Sequence, residues 1–452
     1  MTKIVSTTTT YGEKVLSVEP FGIEAIPASE RHGRVGQIFT FWFSANLNIL
    51  TWFTGALGII LGLSFPATVG AIMIGNILGT LFLAVVSAQG PKHGLPQIAA
   101  SGKVYGPIGL KLFGSLNWLG NVGWFAVDII LGVIALEQVF GVSYLTGLLL
   151  LGTLTIVVAV FGYNFIHRFA QIMAVALGAF FLVMSFRMIP QISPETLWAP
   201  SKLSMLEQLP IFVLVAAAVF SYQLAFCTCG SDYSRYLRTS ISSGKIARYT
   251  FFGSILAGAW LEILGAAVTS LNPQGDSIAL IAQLMGPLAI PALLTIALST
   301  IPINVLATYS GGISLMAAGI PLKRWISPIL TGGLGILLIS SGSGAFADTY
   351  KNFLLLLSYW ITPWLGILLV TKPFSDNPVK LSHNKAVVLY FLALLLSVPF
   401  MSSTLYTGYI AHNYLGGADI SYIVGLLATV LGVQIIKRLQ SKVIRLPLKQ
   451  HN

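Results

Sequence analysis

Runs of about 20 apolar residues recur along the whole chain, separated by short connectors rich in Gly, Pro and charge. A helix of that length crosses a hydrocarbon core of roughly 30 Å, so the pattern predicts twelve membrane-spanning helices. The first six are expected at 38–63, 67–88, 112–138, 144–162, 168–188 and 209–228. The second six are expected at 247–271, 288–316, 325–341, 352–371, 385–407 and 419–436. Two runs are interrupted. The first, 41-FWFSANLNILTWFTGALG-58, carries Asn46 and Asn48 at its centre, followed by Thr51, Thr54, Gly55 and Gly58. Amides in hydrocarbon cost free energy unless they are paired or line a polar cavity, and the small residues let helices approach closely. The second, 211-IFVLVAAAVFSYQLAFCTCGSDYSRYLR-238, turns polar at Ser221, Tyr222 and Gln223 and passes through Gly230 before ending in charge. Two interrupted spans in the first and sixth positions point to a transporter with its site near the bilayer midplane. The alternative is a pair of ordinary buried spans whose polar atoms bond to neighbouring helices.

Composition agrees with the pattern. Hydrophobic residues make up 55% of the 452 and charged residues only 9%, against about a quarter in soluble globules. Residues 1–37 are polar and lack the apolar centre of a cleavable signal. Cys227 and Cys229 stand two apart inside the second interrupted run and suggest neither a disulfide framework nor a metal site.

The net charge of +11 could suggest nucleic acid, but its distribution does not. With the N-terminus inside, 22 of the 25 basic residues fall on the cytoplasmic side, from Lys3 in the arm to Arg445 and Lys449 in the tail. Arg187, Lys202 and Lys351 are the exceptions. That asymmetry obeys the positive-inside rule, puts both ends in the cytoplasm and turns the charge towards anionic lipid. The protein is expected in the plasma (inner) membrane. Residues 189–208 read as an extended outer connector, and 89–109 as a cytoplasmic loop with room for a short interfacial helix.

Polar residues at membrane depth supply the candidate chemistry. In 115-SLNWLGNVGWFAVDIILGVIALEQVFG-141, Asn117, Asn121, Trp124 and Asp128 are spaced 4, 3 and 4 apart and share one helical face. An indole, two amides and a carboxylate are what a planar heteroaromatic ring needs, stacking on its face and hydrogen bonds at its edge. The alternative is a polar seam between helices, but an acid at the bilayer centre is costly and marks function. Glu262 is the other deeply placed acid, either a proton carrier or the partner of a polar group on another helix. Asp232 and Arg235, in SDYSR, are candidates for a structural or gating ion pair. The eighth run carries Ser299, Thr300, Pro302, Asn304 and Thr308; the proline frees carbonyls and Asn304 can meet a ligand edge. His93, His167 and His412 sit near span ends. No catalytic triad, zinc spacing or phosphate loop is present, so an enzyme is not expected.

Together WFSANLNI with TGALG, NVGWF, CGSDYSRY, INVLATYSGG, YKNFLLLLSYWITPWLGI and GGADISYIVG resemble the nucleobase–cation symporter family, closest to its purine–cytosine permease branch. The resemblance runs from about residue 19 to 437. It implies an all-α integral membrane protein of twelve transmembrane helices, with a LeuT-like 5+5 inverted repeat plus two C-terminal helices. The chain then divides into a cytoplasmic arm (1–37), a first repeat (38–190) and a second repeat with its connecting loop (191–371). The last two spans (372–436) and a cytoplasmic tail (437–452) follow. The resemblance also implies a site in which Trp124 stacks on a base and Asn121 and Asn304 read its edge. An aromatic of the sixth span closes the other face, Tyr222 in preference to Gln223, with Asn46 beside the first break.

One departure bears on the driving ion. Sodium-coupled relatives place hydroxyls of the eighth span against carbonyls of the broken first helix, and here Pro302 and Ile303 stand at those positions. Ser299 and Thr300 lie about one turn away. Asp128, where the fungal branch carries asparagine, offers a titratable group beside the base. The expected function is therefore secondary active uptake of cytosine or a purine by alternating access. No cofactor is expected; the coupling ion is H+, carried by Asp128 or Glu262, with Na+ the alternative. Partners are the base and membrane lipid, with no nucleic acid. Competing substrates are allantoin, hydantoin, hydroxymethylpyrimidine and thiamine; outside the class, a ligand-sensing membrane protein is the alternative.

Overall fold

The computed structural model describes residues 11–340 and 346–444, and every regular element in them is a helix. Lys3, Arg445 and Lys449 lie outside the described residues, as do positions 1–10 of the arm. After the arm come α1 (Val35–Asn46), α2 (Ile49–Ile60), α3 (Phe65–Ser87) and a single turn, α4 (Gly90–His93). Then follow α5 (Gln97–Phe140), α6 (Tyr144–Phe161), α7 (Tyr163–Met188) and another short turn, α8 (Pro194–Leu197). The next group is α9 (Met205–Ala225), α10 (Ser243–Thr269), α11 (Ser277–Met285), α12 (Ala289–Ala317) and α13 (Ile326–Ile339). The chain ends in α14 (Phe346–Thr371), α15 (His383–Ser397), α16 (Tyr409–Tyr414) and α17 (Ser421–Ile444).

Ten stretches are long and apolar enough to cross a membrane, and the α1–α2 pair, bent by 54°, makes an eleventh. The segment expected at 325–341 is the 14-residue α13, shorter than a full span, so the count of twelve is not reached among the described residues. The expected loop at 89–109 is largely helical. Its helix joins the third span through a break at Gly106, whose φ of +67° is followed by Pro107. A Cβ at Gly106 would stand 2.8 Å from the His383 ring, so only glycine fits both the backbone and the space.

The first break falls where the amides stand, and its loose ends are satisfied locally. Asn48 caps α2, its side chain accepting from the Thr51 N–H at 2.9 Å and donating to the Ala45 carbonyl at 2.7 Å. The second interruption is different from the expectation. Helix α9 continues unbroken through Ser221, Tyr222 and Gln223 to Ala225, and only then passes into a 3-10 turn, Phe226–Thr228, and further turns. Tyr222 and Gln223 stay helical because their side chains bond to other helices (below) rather than to the backbone.

Connectors alternate between two ends of the bundle. At one end the arm meets the turn after α3 (Ile26 N to Gly94 O, 2.9 Å), the α6–α7 corner (Glu19 N to Phe161 O, 3.0 Å) and the turn after α9 (Gly33 N to Tyr236 O, 3.0 Å). At the other end Ser201 bonds the Gly62 carbonyl and Gln191 that of Leu284. The centre is a seam between antiparallel α5 and α12. Asn117 donates to Ser314 at 2.8 Å, Gly311 lies against Asn121 and Gly132 against Thr300. Spacings of 4 and 3 on both helices keep these residues on facing stripes, and that register brings Asp128 level with Asn304.

Candidate functional site

The polar stripe of α5 opens into a small cavity beside this seam. Asn117, Asn121, Trp124 and Asp128 line it from α5, Phe226 and Thr228 from the end of α9, Ile303 from α12 and Leu357 from α14. Its volume of about 10 Å³ admits roughly one water, so a planar ring enters only when the walls part. Trp124 stands edge-on to Phe353 (5.0 Å between ring centres) and to Tyr222 (5.7 Å). Its exposure is 8%, whereas Asp128 is 1% and Asn304 0% exposed.

Neither Asp128 oxygen has a hydrogen-bond partner, and neither polar atom of the Asn304 amide has one. Buried polar groups are almost always paired, because each unmet one costs about 1–3 kcal/mol. Asp128 lines the cavity, and Asn304 stands level with it on α12 next to Ile303 of the cavity wall, so a polar ligand that parts the walls can meet both. Asn121 is only partly committed, donating to the Asn117 carbonyl at 2.7 Å.

Asn46, Tyr222 and Gln223, also expected around a ligand, and Glu262, the other candidate proton carrier, are not part of this cavity's lining, although Tyr222 stands against Trp124. The Tyr222 hydroxyl is held by Thr51 at 2.7 Å and by the Asn48 amide at 3.1 Å, which ties α9 to the broken first span. The aromatic of this segment that lines the cavity is Phe226, one helical turn further on. Gln223 donates to Asn46 (3.0 Å) and Asn76 (2.8 Å) and accepts from Ser254 (2.8 Å). Asn46 donates to Ser254 at 3.1 Å, and Asn76 donates to Glu262. This amide network joins α1, α3, α9 and α10 around Gly258, where a Cβ would come within 2.8 Å of Gln223 Nε2. Glu262 thus has the interhelical polar partner offered as one of its two readings, and its second oxygen has none.

Ser299 and Thr300 are engaged too. Ser299 accepts from the Ile49 N–H at 3.2 Å and donates to the Ile296 carbonyl at 2.7 Å; Thr300 donates to the Ala297 carbonyl. Ser299 thereby caps the first N–H of α2.

The expected Asp232–Arg235 ion pair is corrected by the structure. The segment after α9 is a series of turns, so a spacing of three does not bring the two side chains together. Arg235 pairs with Glu19 of the arm at 2.7 Å, with both side chains fully buried. Glu19 also meets Arg324 (3.4 Å), the hydroxyls of Tyr236 (2.6 Å) and Tyr309 (2.9 Å) and the Tyr163 N–H (3.0 Å). Burial alone would raise the Glu19 carboxyl, but Arg235 and Arg324 outweigh it and hold it below the usual carboxylate range. Asp232 instead accepts from the Gln97 N–H at 2.7 Å, capping α5. Burial pushes it up to about 6 despite that bond.

Reading the chain alone missed Phe226, Glu19 and Asn76. Phe226 follows Tyr222 by four residues on one face, and Asn76 is a lone amide mid-span, so both left a trace. Glu19 left none, since its partners are more than 140 positions away.

The profile of a family described as permeases for cytosine/purines, uracil, thiamine and allantoin matches residues 25–372. A putative purine-cytosine permease of Bacillus subtilis is 30% identical over 91% of this chain and 94% of its own length. A purine-cytosine permease of Emericella nidulans is 25% identical over 91% and 86%. Among solved structures, Mhp1, a nucleobase-cation-symport-1 family transporter, in a closed conformation with bromovinylhydantoin bound, superposes with a TM-score of 0.73 at 17% identity. That superposition covers 93% of this chain and 96% of Mhp1. A Na+-coupled sialic acid symporter superposes at 0.64, covering 95% and 94% with 14% identity. These two likenesses establish the fold, a LeuT-like transporter architecture.

Proposed function

We propose, from the premise that this chain belongs to the family of permeases for cytosine/purines, uracil, thiamine and allantoin, that it imports a nucleobase, cytosine or a purine, by proton symport. The observation that carries the reading is a pair of unpartnered, buried side chains, Asp128 in the cavity with Trp124 and Asn304 level with it on α12. Trp124 and Phe226 supply faces for a flat ring, while Asn121, Asp128 and Asn304 supply its edge contacts. A cavity too small for a ring in this state fits an alternating-access cycle in which the site opens to one side at a time. The end bearing the arm is the cytoplasmic one, both termini lie there, and the membrane is the plasma (inner) membrane.

Proton coupling is favoured over sodium coupling by the same residues. Sodium wants several oxygen ligands, whereas the α12 hydroxyl that reaches the first break, Ser299, is already bonded to an N–H. Asp128 offers a carboxyl open to exchange a proton with whatever enters. A related ring remains the second reading of the substrate, supported by the breadth of the family's description. Under an imposed inward proton gradient, purified protein in proteoliposomes should accumulate radiolabelled cytosine above its external concentration, with adenine competing better than allantoin or thiamine. Saturable binding without accumulation would make the protein a ligand sensor.

A further inference from the structure

We infer that the coupled proton travels on the base–Asp128 pair itself, so that the site selects bases with an amidine edge, an exocyclic amine next to a ring nitrogen. The inference rests on the site reading just given and deepens it. Both Asp128 oxygens are unpartnered and buried, so the carboxylate presents two acceptors side by side. No Lys, Arg or His lines the cavity, and no basic side chain pairs with Asp128 among the described residues. A buried carboxylate with no counter-cation is costly unless a proton neutralises it, and a ligand edge that shares a proton with it supplies that neutralisation. An amidine that takes up one proton at its ring nitrogen becomes a cation with two parallel N–H donors. That edge meets a carboxylate as an arginine fork does, through two charge-assisted hydrogen bonds.

The proton balance is simple. Proton and base enter together; the ring nitrogen and one Asp128 oxygen share the proton, and the exocyclic amine donates to the other oxygen. Both leave on the other side, returning Asp128 to its starting state. Asn304, level with Asp128 on α12, then has its amide free for the rest of the edge. A lactam edge, as in uracil or hypoxanthine, has no basic ring nitrogen there and meets Asp128 only as a neutral pair. The other titratable groups around Asp128 are Tyr222 on α9, Tyr350 on α14 and Cys229 beyond α9, with Glu262 of α10 reaching the same two tyrosines. From α12 the seam presents Asn304 and Ile303, neither of which titrates. None supplies a positive charge.

The test is equilibrium displacement of radiolabelled cytosine from the purified protein over a range of pH, using adenine, hypoxanthine and uracil. An isosteric series of 5-methylcytosine, cytosine and 5-fluorocytosine, in falling order of ring-nitrogen basicity, completes the panel. Amidine bases should bind about tenfold to a hundredfold tighter than lactam bases, as a well-made bidentate contact does. Within the cytosine series, affinity and the pH at which binding fades should fall with basicity. Asp128→Asn keeps one donor and one acceptor but cannot pair with the cation, so it should bind amidine and lactam bases alike, with no pH dependence. The inference is overturned if the wild type binds both edges equally, if 5-fluorocytosine equals 5-methylcytosine, or if Asp128→Asn keeps the amidine preference. Failure of the wild type to bind any base of the panel would instead overturn the site reading on which it rests.

Discussion

Individual side chains at the seam separate ligand contacts from packing. Trp124 offers the only indole in the cavity, and stacking of a base on an aromatic ring contributes about 1–3 kcal/mol. Trp124→Ala should therefore weaken base binding about tenfold to a hundredfold in an equilibrium assay, while the protein still reaches the membrane. Unchanged affinity would remove α5 from the site. Asn304 gives a different signature, because its amide satisfies nothing in the unliganded protein. Asn304→Ala should change the rank order of competing bases without lowering the melting temperature of the empty protein; a lower melting temperature with an unaltered rank order would make Asn304 a packing residue. The stripe Asn117–Asn121–Trp124–Asp128 was legible in the chain because helical spacing alone puts those residues on one face. The roles of Tyr222 and Gln223 were not. A polar residue that interrupts a span and one that bonds across to a neighbouring helix look the same in a sequence, and only the partners Thr51, Asn48, Asn46 and Asn76 tell them apart.

At the level of elements, the broken first span and the arm stand out. The first break was readable because two amides two residues apart can cap the helix ends they create. The arm was not readable as a working part, because polar residues at a chain end carry no periodicity. Yet residues 11–34 fasten several elements at once. Through Glu19 they join the turn after α9 (Arg235 and Tyr236) to α12 (Tyr309), the α12–α13 connector (Arg324) and the start of α7 (Tyr163). Removing one partner of a buried ion pair costs about 3–5 kcal/mol, because the other charge stays buried and unpaired. Glu19→Gln leaves two arginines in that state. It should lower thermal stability in detergent and raise the accessibility of single-cysteine probes at the arm end, with the native Cys227 and Cys229 first replaced. Normal stability together with unchanged labelling would show that the arm is not a latch. Asp232, raised to about 6 chiefly by burial, acts in the same region with the opposite sign. Its folded-state value exceeds the ordinary one, so its contribution is present at low pH and is lost as pH rises through about 6. Asp232→Asn should flatten the fall in melting temperature across that interval; an unaltered profile would place the titration elsewhere.

Across the bundle as a whole, two groups of helices meet at the cavity. The amide network binds α1, α3, α9 and α10 to one another, and the heptad-like stripes bind α5 to α12. Trp124, Asp128 and Asn304 belong to the second group, while Phe226 closes the cavity from the first. A base held between them is therefore contacted by both groups, which is what coupling its binding to their relative movement requires. The class of architecture was legible because span length, charge asymmetry and broken helices are each imposed by the bilayer. The helix count was less so, since the short α13 reads as a full span when hydropathy alone sets its ends. In the proposed function, Asp128 carries the proton that drives the base. The most direct test of that role is uptake of radiolabelled cytosine into sodium-free proteoliposomes under an imposed inward proton gradient, for wild type and Asp128→Asn side by side. Wild type should accumulate cytosine and lose that ability on addition of a protonophore, while Asp128→Asn should exchange cytosine across the membrane without accumulating it. Equal accumulation by both proteins, or wild-type accumulation that appears only when sodium is supplied, would contradict the account.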